Sequence, residues 1–185
     1  MFTAMIILSN SVVQNYFIQY GYFALFLVFI LEGAMLLYFA PSETLVPLAI
    51  IFLANSIEEY ALVILVAVVG ATIGQYVLFI TAKRVGRERL LEKKWFRLKD
   101  SQLAKFDGWF NRWGAIVVPV SNALFFTRGM LTIPAGLSKM ENKKFIFLSA
   151  LGTFIFETIL AALAWYFGPQ ILELLDIGIS IFLKI

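Results

Sequence analysis

The sequence predicts an all-α polytopic membrane protein in which two opposed re-entrant helical hairpins are each followed by a transmembrane helix. Three observations lead to this fold class. Hydrophobic residues make up 61% of the chain and charged residues 15%, which is too apolar for a soluble globular domain. Residues 1–82 contain no Lys and no Arg. Residues 83–112 then contain ten of the fifteen basic residues, as cytoplasmic loops of membrane proteins do.

The composition also limits the chemistry. The chain contains no Cys and no His, which excludes disulfides, thiolate chemistry and His-dependent phosphatases or metalloproteases. We therefore expect neither a metal nor another cofactor. The basic segment lies between apolar segments, so we expect it to contact anionic lipid headgroups rather than nucleic acid.

The first half of the chain predicts a helix, a hairpin and a span. Residues 1–20 are apolar but interrupted by polar residues, which favours a tilted or interfacial helix. Residues 21–57 contain two apolar runs, and the run after Pro41 is shorter than the roughly 20 residues that cross a bilayer. We therefore predict a re-entrant hairpin with its apex near Ala40 and Pro41. Residues 60–82 carry no charge and predict a transmembrane helix.

The second half repeats this layout from the opposite side. Residues 83–112 combine charges and aromatic residues at helical spacing, which predicts cytoplasmic amphipathic helices. Residues 113–138 are apolar around Arg128, and because three lysines follow, the positive-inside rule favours a second re-entrant hairpin. Residues 145–168 predict a transmembrane helix, and residues 169–185 predict an amphipathic tail. Two opposed hairpins are typical of inverted repeats, which hold a polar site near the midplane.

Four ionisable residues lie at membrane depth in the predicted membrane domain, residues 21–168. They are Glu32, Glu43, Arg128 and Glu157. Burying one such charge at the bilayer centre costs at least about 2.5–3.5 kcal/mol. Each residue therefore needs a partner, a proton or water, and all four are candidate substrate-binding or transport residues.

The chemistry of these four residues leaves alternatives open. Arg128 is either a structural salt bridge between the hairpins or a bidentate phosphate ligand. Glu43 either complements the dipole of a helix that begins at Ser42, or forms a protonatable pair with Glu32. Glu157 is either the partner of Arg128 or a residue that lines a cavity.

The motifs that contain these residues form an ordered pattern along the chain. The pattern consists of Glu32, Pro41-Ser42-Glu43, Gly70 to Gly74 with Tyr76 and Gly86, Arg128, Pro134-Ala135-Gly136-Leu137-Ser138-Lys139-Met140 and Phe145. It resembles the DedA family, whose members share the VTT domain with eukaryotic lipid scramblases, and the resemblance covers about residues 20–168. It implies two opposed re-entrant loops and transport of lipids, notably polyprenyl-phosphate carriers in prokaryotes. It also implies that Glu32, Glu43 and Arg128 are functional positions.

The chain departs from the family pattern at several positions. Gln75 stands where the pattern has Asp after Gly, and Asn122 stands where it has a second Arg six residues before Arg128. Phe125 replaces the Pro between the two arginines. The Trp-Asn pair of the last span falls on residues 156–157.

We therefore expect a multi-pass protein of the cell membrane that moves a phosphorylated lipid, as a flippase or scramblase, either with or without proton coupling. The alternative is a proton-coupled secondary transporter of a small solute. The absent His and Cys and the lack of an Asp-rich metal motif disfavour an enzyme that acts on lipids. A purely structural role would leave Glu32 and Arg128 as costly charges without a use.

The topology can be checked by labelling single cysteines, because the chain has none of its own. We expect cysteines at Arg84, Lys93 and Lys143 to react with a membrane-impermeant maleimide from the cytoplasmic side only. A cysteine at Glu58 should react only from the other side. Reaction of positions 93 and 143 from opposite sides would contradict the second hairpin.

Overall fold

The described part of the chain is helical. The computed structural model describes residues 11–37, 42–54, 56–87, 100–124, 129, 131–138 and 140–182, and no strand occurs among them. The helices are α1 (Ser11–Gly33), α2 (Ser42–Leu53), α3 (Ile57–Val85), α4 (Asp100–Trp113), α5 (Val117–Ala123), α6 (Thr132–Leu137) and α7 (Asn142–Phe182). A short 3₁₀ turn, Gly114–Ile116, joins α4 to α5. The predicted all-α class is confirmed.

Helix α3 is the central element and contacts α1, α2, α6 and α7. It begins after Ser56, whose Oγ accepts a hydrogen bond from the Glu59 N–H at 3.3 Å. Acidic residues in its first turn and Lys83 and Arg84 in its last turn complement the helix dipole. These end signals extend the helix three residues beyond each end of the predicted span, residues 60–82.

Among the described residues, two helices are apolar and long enough to cross a membrane, judged by length and composition. They are α3 and the first 27 residues of α7, Asn142–Gly168. Helix α7 does not end at Gly168, where the sequence predicts a separate tail, but continues through Pro169 to Phe182. A proline removes one backbone N–H from a helix and kinks it without necessarily ending it. Helix α1 is likewise continuous across residue 20, the predicted end of the N-terminal segment.

Helices α1 and α3 run parallel and approach closely. Gly70 lies against the carbonyl oxygen of Phe26, and Gly74 lies against that of Ile30, four residues further along both helices. A Cβ added to Gly74 would meet the Ile30 oxygen and lie 2.7 Å from the Ala34 nitrogen. Small residues permit such backbone contact between helices in membranes.

Helix α1 ends beside the middle of α3, in a turn that normally requires glycine. Met35 has a left-handed φ of 56°, and its N–H donates to the Glu32 carbonyl at 2.8 Å. The Leu36 N–H donates to the Leu31 carbonyl at 2.9 Å. These two bonds form a Schellman motif. A left-handed residue other than glycine costs about 1–2 kcal/mol, and the Met35 side chain packs against the cluster around Leu78.

Helix α2 leads the chain back from the end of α1 to the start of α3. Only residues 54–56 separate α2 from α3. The apolar core at this end of the bundle draws on four helices. Its buried members are Phe29, Val46, Ala49, Ile50, Val63, Ile64, Ala67, Ala161 and Ala164. The predicted apex at Ala40 and Pro41 lies outside the described residues.

Helices α3 and α7 run antiparallel along the bundle. The rings of Tyr60 and Trp165 meet edge to face with centroids 5.8 Å apart. The rings of Phe79 and Phe145 stack with centroids 4.1 Å apart. As the residue number increases along α3, the number of the contacting residue in α7 decreases. We call the two ends of the bundle the Tyr60 end and the Lys83 end.

Lys83 joins the end of α3 to the start of α7. Its Nζ donates to the Met140 carbonyl at 2.7 Å and to Asn142 Oδ1 at 2.8 Å. The Asn142 amide in turn donates to the Tyr76 hydroxyl at 3.3 Å. The Lys83 ammonium also lies 5.3 Å from the centroid of the Phe79 ring. These contacts close the Lys83 end of the bundle.

Helix α4 covers residues 100–112 of the predicted amphipathic region, residues 83–112, whereas residues 83–85 of that region belong to the end of α3. Its Asp107 forms an ion pair with Arg87 at 2.5 Å, and both side chains are partly exposed. Trp109 and Trp113 are exposed, as expected of aromatic residues at headgroup depth. The rest of the basic block, residues 88–99, lies outside the described residues.

The contact between α1 and α3 predicts opposite effects for two glycine substitutions. Gly74→Ala should lower the free energy of unfolding by about 1–3 kcal/mol, because the new methyl group meets the α1 backbone. Gly108→Ala is the control, because no atom lies within 4 Å of its added Cβ, and it should stabilise α4 by about 0.5–1 kcal/mol. Thermal unfolding of both variants in one detergent measures the difference. Equal melting temperatures would contradict the close contact.

Candidate functional site

Three buried polar side chains form a hydrogen-bonded group between α3, α5 and α7. They are Gln75, Asn122 and Ser149, and we call them the amide centre. The Asn122 Nδ2 donates to Gln75 Oε1 at 2.9 Å and to Ser149 Oγ at 3.1 Å. The Ser149 hydroxyl also donates to Gln75 Oε1. None of the three is more than 2% exposed, so their partners have to come from the protein.

Close packing brings α5 against α7 at this level. Gly152, one turn beyond Ser149, lies against the backbone of Pro119. A Cβ added to Gly152 would lie 2.7 Å from the Pro119 Cα and 2.9 Å from the Asn122 Cβ. The side chain of Asn122 can therefore reach both neighbouring helices.

Two buried hydroxyls extend the polar region from the amide centre towards the Tyr60 end. Thr72 precedes Gln75 by one turn of α3, and Thr153 follows Ser149 by one turn of α7. Because the helices are antiparallel, both hydroxyls lie on the same side of the amide centre. Each oxygen is buried and has no hydrogen-bond partner among the described residues. Buried hydroxyls of this kind are usually satisfied by water or by a polar ligand.

Glu157 continues this polar line on α7. Its side chain is 0% exposed. It lies midway in sequence between Ser149, which bonds Gln75, and Trp165, which meets Tyr60. The antiparallel register therefore places Glu157 beside the middle of α3. A carboxylate in such a place is costly unless hydrogen bonds, an opposite charge or a proton compensates it.

Glu32 lies beside the middle of α3 on the neighbouring helix α1. It lies in the last turn of α1, where the glycine contacts hold α1 against α3. The side chain is half-buried, and its Oε2 atom is fully buried. Two of the four predicted site residues, Glu32 and Glu157, thus lie beside the same part of one helix. Among the described residues, no group of three or more acidic side chains is arranged to hold a metal ion.

The side chains of the other two predicted residues, Glu43 and Arg128, lie outside the described residues. Glu43 belongs to the first turn of α2, but its side chain lies outside the described residues. Arg128 also lies outside them. Its neighbour Gly129 is described, and the Gly129 N–H donates to Asn122 Oδ1 at 3.2 Å. The residue after Arg128 is therefore bonded to the amide centre.

The sequence did not predict the amide centre. One usable signal was the spacing of Ser149, Thr153 and Glu157, which recur every fourth residue in an otherwise apolar helix. That spacing places polar groups on one helix face. In the sequence, Gln75 and Asn122 stand out only as separate departures from the family pattern, and nothing indicates that they touch.

Comparison with known proteins identifies the family. A family model described as the VTT domain matches residues 40–166, and this range includes the amide centre and most of the predicted site. The chain belongs to the VTT (DedA) family. The resemblance predicted from the sequence motifs is confirmed, and the protein is a membrane protein.

Relatives of this VTT-family chain carry different names. It is 27% identical over 153 residues to undecaprenyl phosphate transporter A of Staphylococcus aureus, covering 80% of this chain and 74% of the relative. It is 26% identical over 148 residues to the inner membrane protein YqjA of Escherichia coli, covering 80% and 67%. It is 28% identical over 161 residues to an alkaline phosphatase-like protein of Lactococcus lactis, covering 82% and 73%. No solved structure matches the chain.

The structure relates two of the departures from the VTT pattern to each other. Gln75 replaces an acid of the pattern and Asn122 replaces a base, and these two residues are in direct contact. The two departures therefore belong to one interaction, in which a neutral pair of amides occupies positions where the pattern has opposite charges.

The amide centre predicts that two substitutions of a buried polar side chain by an apolar one differ in their effect on stability. Asn122→Leu should destabilise the protein by about 1–3 kcal/mol, because it leaves the buried Gly129 N–H without its partner. Gln75 Oε1 loses one bond but keeps the one from the Ser149 hydroxyl. Thr72→Val removes a hydroxyl that has no partner in the described part of the chain, so it should leave stability unchanged or raise it. Thermal unfolding of both variants in one detergent measures the difference. Equal losses in the free energy of unfolding would contradict the prediction.

Proposed function

We propose that this chain moves a phosphorylated lipid across the membrane as a flippase or scramblase, with polyprenyl phosphates as its substrate class. The observation that carries the proposal is the buried polar region beside the middle of α3, which is bonded to the residue next to Arg128. The relative named undecaprenyl phosphate transporter A supports the choice of a lipid phosphate. The polar headgroup would pass through this region while the lipid tail stays in the bilayer.

In this proposal residues 21–57 form a re-entrant hairpin that enters from the Tyr60 end. Two features of the structure support it. Helix α1 runs parallel to α3 and stops beside its middle, at the turn around Met35. Helix α2 then leads back to Ile57 at the start of α3. Backbone that is not helical is tolerated at such depth when protein or a water-filled cavity surrounds it.

Residues 113–138 form the opposite hairpin and enter from the Lys83 end. Asn122 at the end of α5 reaches the level of Gln75. Gly136 in α6 then lies against the backbone of α3 near Lys83, since a Cβ added there would lie 3.1 Å from the Lys83 nitrogen. Met140 completes the return, because its carbonyl accepts from Lys83. The polar region thus lies between two hairpins of opposite entry, as in inverted-repeat transporters.

Arg128 is the proposed phosphate ligand. A guanidinium binds phosphate through two parallel hydrogen bonds, which a lysine ammonium cannot do. When the site is empty, Glu32, Glu43 or Glu157 would pair with Arg128, since these are the acids that the sequence places at membrane depth.

The charges of these four residues favour coupling to protons. Three carboxylates and one guanidinium carry a net charge of −2 when all are ionised. A phosphomonoester adds about −1.5 to −2 at neutral pH. Burying that much negative charge is unfavourable in a poorly solvated site. Uptake of protons by the carboxylates would offset it, so an inward proton gradient should promote headgroup entry from the acidic side.

Proteoliposomes that contain undecaprenyl phosphate test the function. A soluble phosphatase added outside hydrolyses only outer-leaflet phosphates, so about half of the lipid should react in protein-free vesicles. With the protein, nearly all of the lipid should react, and faster when a pH gradient is applied. Hydrolysis that stays at half would overturn the proposal.

The same vesicles separate the other functions. Phosphate release without the soluble phosphatase would favour a hydrolase, in line with the name of the Lactococcus lactis relative. Proton uptake that requires a soluble solute and not the lipid would favour a secondary transporter of a small solute.

Variants of the four residues should affect transport in a graded way. Arg128→Lys should lower lipid transport by about tenfold or more while the protein stays folded, because the bidentate geometry is lost. Arg128→Ala should lower it further and should also destabilise the protein, because an acid loses its partner. Recovery of transport on combining Arg128→Ala with Glu157→Gln would show that Arg128 is structural.

Removing the carboxylates should abolish the response to pH. Glu32→Gln and Glu43→Gln keep size and hydrogen bonding but cannot release a proton, so transport should fall and lose its dependence on a pH gradient. Glu58→Gln is the control, because Glu58 is exposed in the first turn of α3. Normal transport by both variants from pH 5 to 8 would assign the two carboxylates a structural role.

A further inference from the structure

Thr72 and Thr153 are buried helical threonines whose hydroxyls do not bond their own helix. A threonine inside a helix commonly donates to a carbonyl one turn earlier. Thr81 does so in α3, where its Oγ1 donates to the Val77 carbonyl at 2.8 Å. The Oγ1 atoms of Thr72 and Thr153 have no such bond, and no other partner in the part of the chain that the structure describes. Thr72 is 8% exposed and Thr153 is 0% exposed, so bulk water does not satisfy them either.

The two hydroxyls belong to the facing sides of α3 and α7, at nearly the same level. Gln75 accepts a hydrogen bond from the Ser149 hydroxyl across this interface. Thr72 precedes Gln75 by three residues and Thr153 follows Ser149 by four, so each pair shares one helix face. At about 1.5 Å per residue, these steps place Thr72 and Thr153 roughly 4.5 and 6 Å from the contact, both towards the Tyr60 end. The interface therefore holds two buried hydroxyls within one helical turn of each other.

The neighbouring donors of the amide centre are already in use. The two hydrogens of Asn122 Nδ2 face Gln75 Oε1 at 2.9 Å and Ser149 Oγ at 3.1 Å. The Ser149 hydroxyl donates to Gln75 as well. A ligand that bonded these donors would have to break bonds that stabilise the protein. The hydroxyls of Thr72 and Thr153 can donate to a ligand without such a loss, because they give up no bond within the described part of the protein.

The charge around the two hydroxyls bears on the choice of ligand. Glu157 lies one turn beyond Thr153 on α7 and is fully buried. A hydroxyl donates a hydrogen bond without adding a charge that has to be balanced when the ligand has left. Threonine hydroxyls are common phosphate ligands, and a phosphomonoester offers three strong acceptor oxygens. Proton uptake by the carboxylates belongs to the proposed function and would offset their repulsion of such an anion.

We propose that Thr72 and Thr153 form a binding site for a lipid phosphomonoester, to which both hydroxyls donate hydrogen bonds during transport. This inference deepens the proposed function and rests on it for the choice of ligand. Both hydroxyls are enclosed in this structure, so the phosphate reaches them when the surrounding helices move apart. Two neutral hydroxyls are also far less costly to leave empty in a buried place than an unpaired charge.

Valine substitutions test the site at nearly constant shape. Thr72→Val and Thr153→Val replace a hydroxyl by a methyl group, so each should lower transport of undecaprenyl phosphate by about tenfold, the loss expected for a hydrogen bond to a charged group. The melting temperature should stay the same or rise, because no bond within the described part of the protein is lost. Thr72→Ser and Thr153→Ser keep the hydroxyl and should retain at least about half of the wild-type rate.

Thr81→Val is the matched control on α3, because the Thr81 hydroxyl is bonded to its own helix. This variant should transport at the wild-type rate. Amounts of folded protein are measured for every variant, so that loss of protein is not counted as loss of transport. Wild-type transport by both Thr72→Val and Thr153→Val would overturn the proposal.

A binding measurement separates this site from the proposed function. Dioleoyl phosphatidic acid and dioleoylglycerol differ only in the phosphate, so the difference between their effects on the melting temperature in detergent reports phosphate binding. Saturating phosphatidic acid should raise the wild-type melting temperature by about 4 °C or more above the value in dioleoylglycerol. The double variant Thr72→Val, Thr153→Val should lose most of this shift, and Thr81→Val should keep it.

The outcomes of the binding measurement are distinct. If the wild type moves no undecaprenyl phosphate but shows the shift, and the double variant loses it, the proposed function fails and the phosphate site stands. A full shift in the double variant, or no shift in the wild type, would overturn the site. A shift that sodium chloride produces without any phosphate, and that the double variant loses, would assign the hydroxyls to a cation and would also overturn it.

Discussion

Polar groups in the middle of this bundle find no partners in hydrocarbon, so they have to bond to the protein, to water or to a ligand. The amide centre meets this constraint through side chains from three helices, Gln75, Asn122 and Ser149. Their bonds require α3, α5 and α7 to keep one register, since a shift of one residue in α7 would turn Ser149 away. The stacking of Phe79 on Phe145 occurs in that same register, one turn closer to the Lys83 end.

The close contact between α1 and α3 lies at the same level of the bundle as the amide centre. Gly74 allows the α1 backbone to approach, and the chain turns at Met35 immediately beyond the contact. A left-handed methionine is unfavourable by itself, so tertiary packing around Leu78 has to stabilise the turn. Glu32 gains its place beside the middle of α3 only because α1 ends there. Strained backbone next to a candidate site is a recurrent feature of functional turns.

The sequence predicted some of these features well, and the physical reasons are clear. Helix α3 follows the predicted span within three residues at each end, because its charges and its N-cap are local signals. The end of α1 carries no such signal, since Met35 stands where glycine is usual. Helix α7 continues through Pro169 because a helix tolerates one missing N–H. The contact of Gln75 with Asn122 joins residues 47 positions apart, and no local pattern reports such a pair.

The neutrality of the amide centre makes its hydrogen bonds independent of pH near neutrality. Amides neither gain nor lose protons near neutral pH. The hydrogen bond from the Gly129 N–H to Asn122 Oδ1 therefore does not depend on a change of protonation within the amide centre. The interaction between a carboxylate and a guanidinium at the same positions would change with every change of charge nearby. The hydrogen bonds of the amide centre are therefore independent of the protonation state of Glu32 and Glu157, the acids that lie beside α3.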